Sequence, residues 1–227
     1  MPCRGGERGE LIVELAKYID HTFLKPNGDA DAVKKLCREA KKYGFASVCV
    51  NPAEVPLAAK LLKKSDVEVC TVIGFPLGQN TAIAKCFEAA DAIQNGATEL
   101  DFVINVRLLK HDPEACQVEL CDIIESVKDV APDVVTKLII ECCYLTKEEK
   151  VLACKMAKAA GFDFVKTSTG FGTGGATVED VKLMRKTVGK KMGVKAAGGI
   201  RDKATALAMI AAGANRLGCS AGVEICQ

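Results

Sequence analysis

The chain has 227 residues, and its 31 basic and 29 acidic side chains leave a net charge of +2. So even a balance excludes a protein held on a nucleic-acid backbone by its charge. A hydrophobic share of 49% beside 26% charged residues excludes disorder and collagen-like repeats. Taken in chain order, the pattern opens on a short run, Tyr18-Ile-Asp-His-Thr22, followed by a helical stretch over 29–43 that ends in Lys42-Tyr-Gly-Phe45. Short apolar runs of strand length then recur at Phe45 to Val50, Val67 to Ile73, Glu99 to Asn105, Val135 to Cys142, Phe162 to Lys166, Gly193 to Ala196 and Asn215 to Gly218.

Helical patterns separate these runs. Over 81–95, Ile83, Phe87, Ala90 and Ile93 share one face, the expected buried one. Asp112-Pro113 and Thr177 to Asp180 read as helix starts, with a capping residue before proline or before first-turn acids. Gln94-Asn-Gly-Ala97, Ala159-Ala-Gly-Phe162 and Ala211-Ala-Gly-Ala214 repeat the form seen at Lys42 to Phe45, with glycine where a helix ends in the left-handed conformation. Eight strand–helix alternations without a linker predict one α/β domain over 1–227, a (β/α)8 TIM barrel with a short N-terminal helix. An open doubly wound sheet is the alternative.

No run of about 18 apolar residues is present, so no membrane helix is expected. The first ten residues lack the apolar core of a signal peptide, which predicts a cytoplasmic location. There, twelve cysteines act mostly as small buried hydrophobes. No C-x-x-C occurs, and Cys142-Cys143 is an adjacent pair, so no metal site is expected. His21 and His111, the two histidines, are too few for a multi-histidine zinc site.

In a TIM barrel the chemistry sits at the C-terminal ends of the strands. Side chains alternate along Glu99-Leu-Asp-Phe-Val-Ile-Asn105, so Leu100, Phe102 and Ile104 face the helices while Glu99, Asp101, Val103 and Asn105 face inward. An inward carboxylate at Asp101 is costly unless paired or used. Lys166 and Lys195 each end an apolar strand, and the two strands are neighbours. A like charge and partial desolvation both lower a lysine pKa, which leaves one amine free for Schiff-base chemistry. Gly170, Gly198-Gly199 and Gly218 to Gly222 follow the last three strands, where glycine lets backbone N–H groups approach a phosphate.

The segments Tyr18 to Pro26, Val72 to Gly78, Glu99 to Asn105, Phe164 to Phe171, Val194 to Arg201 and Arg216 to Gly222, in this order, closely resemble the deoxyribose-phosphate aldolase family. The resemblance runs from about residue 10 to the end. It implies a class I aldolase that reversibly cleaves 2-deoxy-D-ribose 5-phosphate to D-glyceraldehyde 3-phosphate and acetaldehyde. It assigns the Schiff base to Lys166, its tuning to Lys195 and proton relay to Asp101. Asp20 would contact the second lysine. The phosphate grip falls on Gly170, Gly198, Gly199, Gly218 and Ser220. It further implies no metal or organic cofactor, a small sugar phosphate as ligand rather than nucleic acid or membrane, and a homo-oligomer, dimer or tetramer. Two positions depart from the usual pattern: Arg107, where glycine is common, and Cys219, where threonine or alanine is more familiar. Another class I sugar-phosphate aldolase and a non-catalytic phosphate-metabolite-binding barrel are the competing readings.

Overall fold

A computed structural model describes residues 15–227. Eight parallel strands close into a barrel in sequence order: β1 (Ile19–Phe23), β2 (Ser47–Val50), β3 (Glu68–Ile73), β4 (Glu99–Val103), β5 (Val135–Ile139), β6 (Phe164–Lys166), β7 (Gly193–Ala197) and β8 (Arg216–Cys219). Closure comes from β1 pairing with β8, with Asp20 opposite Gly218. Each strand sits where an apolar run was expected: β2 to β6 are shorter than their runs by one to three residues, and β1, β7 and β8 reach one residue further.

The helices are α1 (Ala30–Tyr43), α2 (Val55–Leu62), α3 (Ala82–Gln94), α4 (Val106–His111), α5 (Pro113–Val130), α6 (Lys147–Ala160), α7 (Val178–Val188), α8 (Lys203–Ala211) and α9 (Gly222–Cys226). The expected short N-terminal helix lies outside the described residues except for Leu15 and Ala16, which are helical and buried.

Local chemistry explains the boundaries. Asp112 caps α5 at the Ala115 N–H, with Pro113 at the first helical position, and Thr177 caps α7 at the Asp180 N–H. Thr146 and Glu149 form a reciprocal capping box on α6. Gly44 and Gly161 end α1 and α6 with φ of 68° and 95°, the left-handed geometry anticipated from the repeated phrases.

The main apolar core fills the space between strands and helices. Phe102 on the outer face of β4 meets the Phe162 ring edge-on at 5.9 Å between centroids. A separate small cluster of Leu24, Cys49, Cys70 and Val72, with Phe75 against it, occupies the barrel interior.

One expectation is overturned. The buried residues of α3 are Lys85, Ala89 and Ala92, whereas Ile83 and Phe87 are 70% and 74% exposed. The helix sets its small residues Ala89 and Ala92 against the barrel, and the Lys85 ammonium buried beside them has both an acceptor and a counter-ion. It donates to the Val103 carbonyl at 3.0 Å and pairs with Glu119 of α5 at 2.7 Å.

Candidate active site

Strand alternation carries Asp20, Asp101, Lys137, Lys166, Lys195 and Arg216 into the barrel interior. Lys166 and Lys195 are direct register partners on β6 and β7. Asp101 on β4 reaches both: its Oδ2 accepts from Lys166 Nζ at 2.8 Å and from Lys195 Nζ at 2.7 Å. The two nitrogens therefore lie within two hydrogen-bond lengths of each other, as their strand positions predicted. Asp20 on β1 pairs with Lys195 at 2.5 Å, the contact expected of it.

Sequence reasoning missed a further layer. Lys137, completely buried on β5, donates to Asp101 Oδ1 at 2.9 Å and to Glu99 Oε2 at 2.7 Å. Arg216 on β8 holds Glu99 through both terminal nitrogens, at 3.0 and 2.9 Å, and also binds Asp20. The missed signal was available. Lys137 is a charged residue within the strand run Val135 to Cys142, and Glu99 shares the inward parity of Asp101.

Alternating charges fix the protonation states. Burial pushes the Asp101 carboxyl up, but the ammonium groups of Lys137, Lys166 and Lys195 outweigh it and hold it well below the usual range. Asp20 is likewise held down, with Lys195 and Arg216 overcoming its burial. Burial lowers the pKa of Lys195, yet Asp101 and Asp20 raise it well above that of a free lysine. This corrects the simplest version of the two-lysine argument. With a carboxylate between them, Lys195 is fixed as a cation, and it cannot be the amine that turns nucleophilic near neutral pH.

Lys166, unlike Lys137 and Lys195, lines an open cavity of about 420 Å³. The same cavity is bounded by Gly170, Gly198, Gly199, Gly218 and Ser220, so every position expected to grip a phosphate converges on the candidate nucleophile. Gly198 and Gly199 adopt φ of 88° and 81°, which turns the chain sharply after β7. Gly218 leaves little room for a side chain, since a Cβ there would come within 3.0 Å of the Ala197 Cβ and 3.2 Å of the Lys195 Cε. Lys25 and Arg201 add exposed cations at the rim. A larger recess, about 620 Å³, lies beside Phe164 and Met192, and none of the expected site residues lines it.

Two cysteines belong to the interior as well. Cys49 and Cys70 are cross-strand partners, and Cys70 Sγ donates to Asp101 Oδ1 at 3.2 Å. Burial, with the adjacent thiol and carboxylate, keeps Cys70 well above the usual thiol pKa. Cys49, Cys70 and Asp101 place three donor atoms within 4.8 Å of one another. Those donors do not suit a metal cation, because three ammonium groups already neutralise the carboxylate and Lys137 lies 3.5 Å from Cys70 Sγ.

Comparison with known proteins agrees with this geometry. The family model for DeoC/LacD family aldolases matches residues 14–227. The deoxyribose-phosphate aldolase of Thermoanaerobacter pseudethanolicus is 59% identical over 95% of this chain and 96% of its own length. That of Carboxydothermus hydrogenoformans is 56% identical, covering 94% of each. Among solved structures, the tetrameric deoxyribose phosphate aldolase of Aeropyrum pernix superposes with a TM-score of 0.88 at 35% identity, covering 97% of this chain and 94% of that one. The eight-stranded barrel, the inward lysines and these similarities agree: the chain belongs to the DeoC/LacD aldolase family, a carbon–carbon lyase in the form of a TIM barrel.

Proposed function

We propose that this aldolase cleaves 2-deoxy-D-ribose 5-phosphate reversibly to D-glyceraldehyde 3-phosphate and acetaldehyde through a Schiff base on Lys166. The observation that carries the reading is the position of Lys166. It shares one Asp101 oxygen with the Lys195 ammonium and faces a glycine-walled cavity. The names of the close relatives support the choice of sugar.

The Lys166 amine adds to the C1 aldehyde of the open-chain sugar, and loss of water gives an iminium ion. Asp101, relaying through Lys195 and water, takes the proton of the C3 hydroxyl. The C2–C3 bond then breaks, its electron pair moves into the iminium as an enamine, and C3 becomes the aldehyde of glyceraldehyde 3-phosphate. The enamine gains a proton at C2, and water hydrolyses the resulting iminium to acetaldehyde and free Lys166. Each such proton transfer contributes about 10²–10⁴ in rate. Backbone N–H groups around Gly170, Gly198, Gly199 and Gly218, with Ser220, hold the 5-phosphate at the far end of the cavity.

The chemistry requires neither a metal nor an organic cofactor. The chain works as one domain on a small sugar phosphate in the cytoplasm, as a dimer or tetramer. No described helix is long and apolar enough to cross a membrane. Borohydride reduction in the presence of acetaldehyde should leave a two-carbon adduct on the tryptic peptide containing Lys166. A label on another lysine, or no label with either acetaldehyde or the sugar phosphate, defeats the mechanism.

A further inference from the structure

Glu141, just past β5, has φ 53° and ψ 67° and is the only non-glycine residue with positive φ among those described. A long side chain adopts that conformation rarely. The residue is 3% exposed, and its carboxylate takes part in no ion pair among the described residues. The Schiff-base steps do not use it.

What the carboxylate does hold is the segment after Lys166. It accepts from the Thr169 N–H at 3.2 Å and from the Thr169 hydroxyl. Thr169 Oγ1 in turn accepts from the Phe171 N–H at 3.0 Å. One acid thus fixes the peptides on both sides of Gly170. Main-chain bonds flank Glu141, from the Ile140 N–H to the Lys166 carbonyl at 3.0 Å and from the Cys142 N–H to the Thr167 carbonyl at 2.9 Å. Between those two bonds the left-handed turn is stabilised, and the side chain reaches Thr169. The loop returns closely against it, since a Cβ on Gly172 would sit 3.2 Å from the Glu141 Cδ.

Lys166 is anchored separately. It binds Asp101, and the adjoining Thr167 is tied to β7 through its hydroxyl, which donates to the Ala197 carbonyl at 3.1 Å and accepts from the Ala197 N–H at 3.0 Å. Thr169, Gly170 and Phe171 form one wall of the cavity that Lys166 faces.

We propose that Glu141 is a positioning residue that sets affinity for the phosphate end of the substrate by fixing the Thr169–Phe171 wall, with no part in the covalent chemistry. The inference rests on the sugar-phosphate reading above. In Glu141→Gln the side chain loses its charge and one of its two acceptor oxygens, so the Thr169 N–H and hydroxyl must share the one that remains. The expected result is a KM for deoxyribose 5-phosphate raised about tenfold or more, with kcat within about threefold of the parent. KM for unphosphorylated 2-deoxyribose and borohydride trapping of acetaldehyde on Lys166 should stay within the same threefold. Thr169→Val should reproduce this pattern and Thr169→Ser should restore the parent KM. The effects of Glu141→Gln and Thr169→Val should not add in the double variant.

Equal losses on both substrates, a fall in kcat at constant KM, an unchanged KM or additive effects would each overturn the assignment. Should Glu141→Gln not fold, the Thr169 pair carries the same test. Failure of the parent enzyme to cleave the sugar phosphate or to trap acetaldehyde would instead defeat the functional reading itself.

Discussion

Lys85 and Lys166 are both buried lysines, one between the barrel and its helices and one inside the barrel. Lys85 has a single counter-ion, Glu119, and a backbone carbonyl, and it lines none of the cavities described. Lys166 shares its carboxylate with two other ammonium groups and opens onto a cavity walled by glycine. Burial of a charge does not distinguish structure from chemistry, since both lysines have it. The difference lies in how many cations compete for one carboxylate and in whether a reactant can reach the amine.

The contrast predicts a separation of effects. Lys166→Ala should reduce cleavage by about 10⁴-fold or more while the far-UV spectrum and the cooperativity of unfolding are kept. Turnover within about tenfold of the parent would remove the residue from the chemistry. Lys195→Leu strips the shared cation from both Asp20 and Asp101, so a loss of about 10²-fold in kcat is expected, with slower trapping of acetaldehyde on Lys166. Normal trapping kinetics in that variant would show that Lys195 is only a structural counter-ion. Lys85→Met reverses the pattern. Leaving Glu119 buried without its partner should cost about 3 kcal/mol in urea unfolding, with turnover per folded molecule within about threefold of the parent. A larger catalytic defect would mean that the outer ion pair is coupled to the site.

The smallest effect concerns pH. Asp20 and Asp101 have depressed folded pKa values, so their contribution is complete above the unfolded value near pH 4 and is lost as pH falls through the folded values. Lys195 is raised, so its contribution is complete below about pH 10.4 and is lost only as pH rises through its higher folded value. The interior network should therefore give a flat thermal midpoint between about pH 5 and 9. A midpoint that falls steeply within that range in the parent, and flattens in Lys195→Leu, would contradict the assigned charge states.

Much of the site was legible because it depends on local rules. Alternation along β4 put Asp101 inside, and strand order put Lys166 beside Lys195. The glycines after the last three strands then pointed to one rim. The face of α3 was misread, since Ile83 and Phe87 follow a helical period that ordinarily marks the core. Lys85 lies inside instead, paired with Glu119 of a neighbouring helix, a partner that the helical period does not reveal. Cys49 and Cys70 were also undervalued, because spacing along the chain does not show that β2 and β3 set them side by side against Asp101.

The sequence by itself determined the eightfold alternation, the places of the strands, several helix ends, the inward parity of Asp101 and the strand-end positions of Lys166 and Lys195. These follow from periods of two and 3.6 residues and from capping, all of which act over a few positions. Tertiary structure alone decided that Lys137, Glu99 and Arg216 complete the charge network, that Lys195 stays cationic, and that Glu141 holds Thr169. Each of those depends on barrel closure, which brings β1, β4, β5 and β8 across one interior whose low dielectric makes every charge answer to its nearest neighbours.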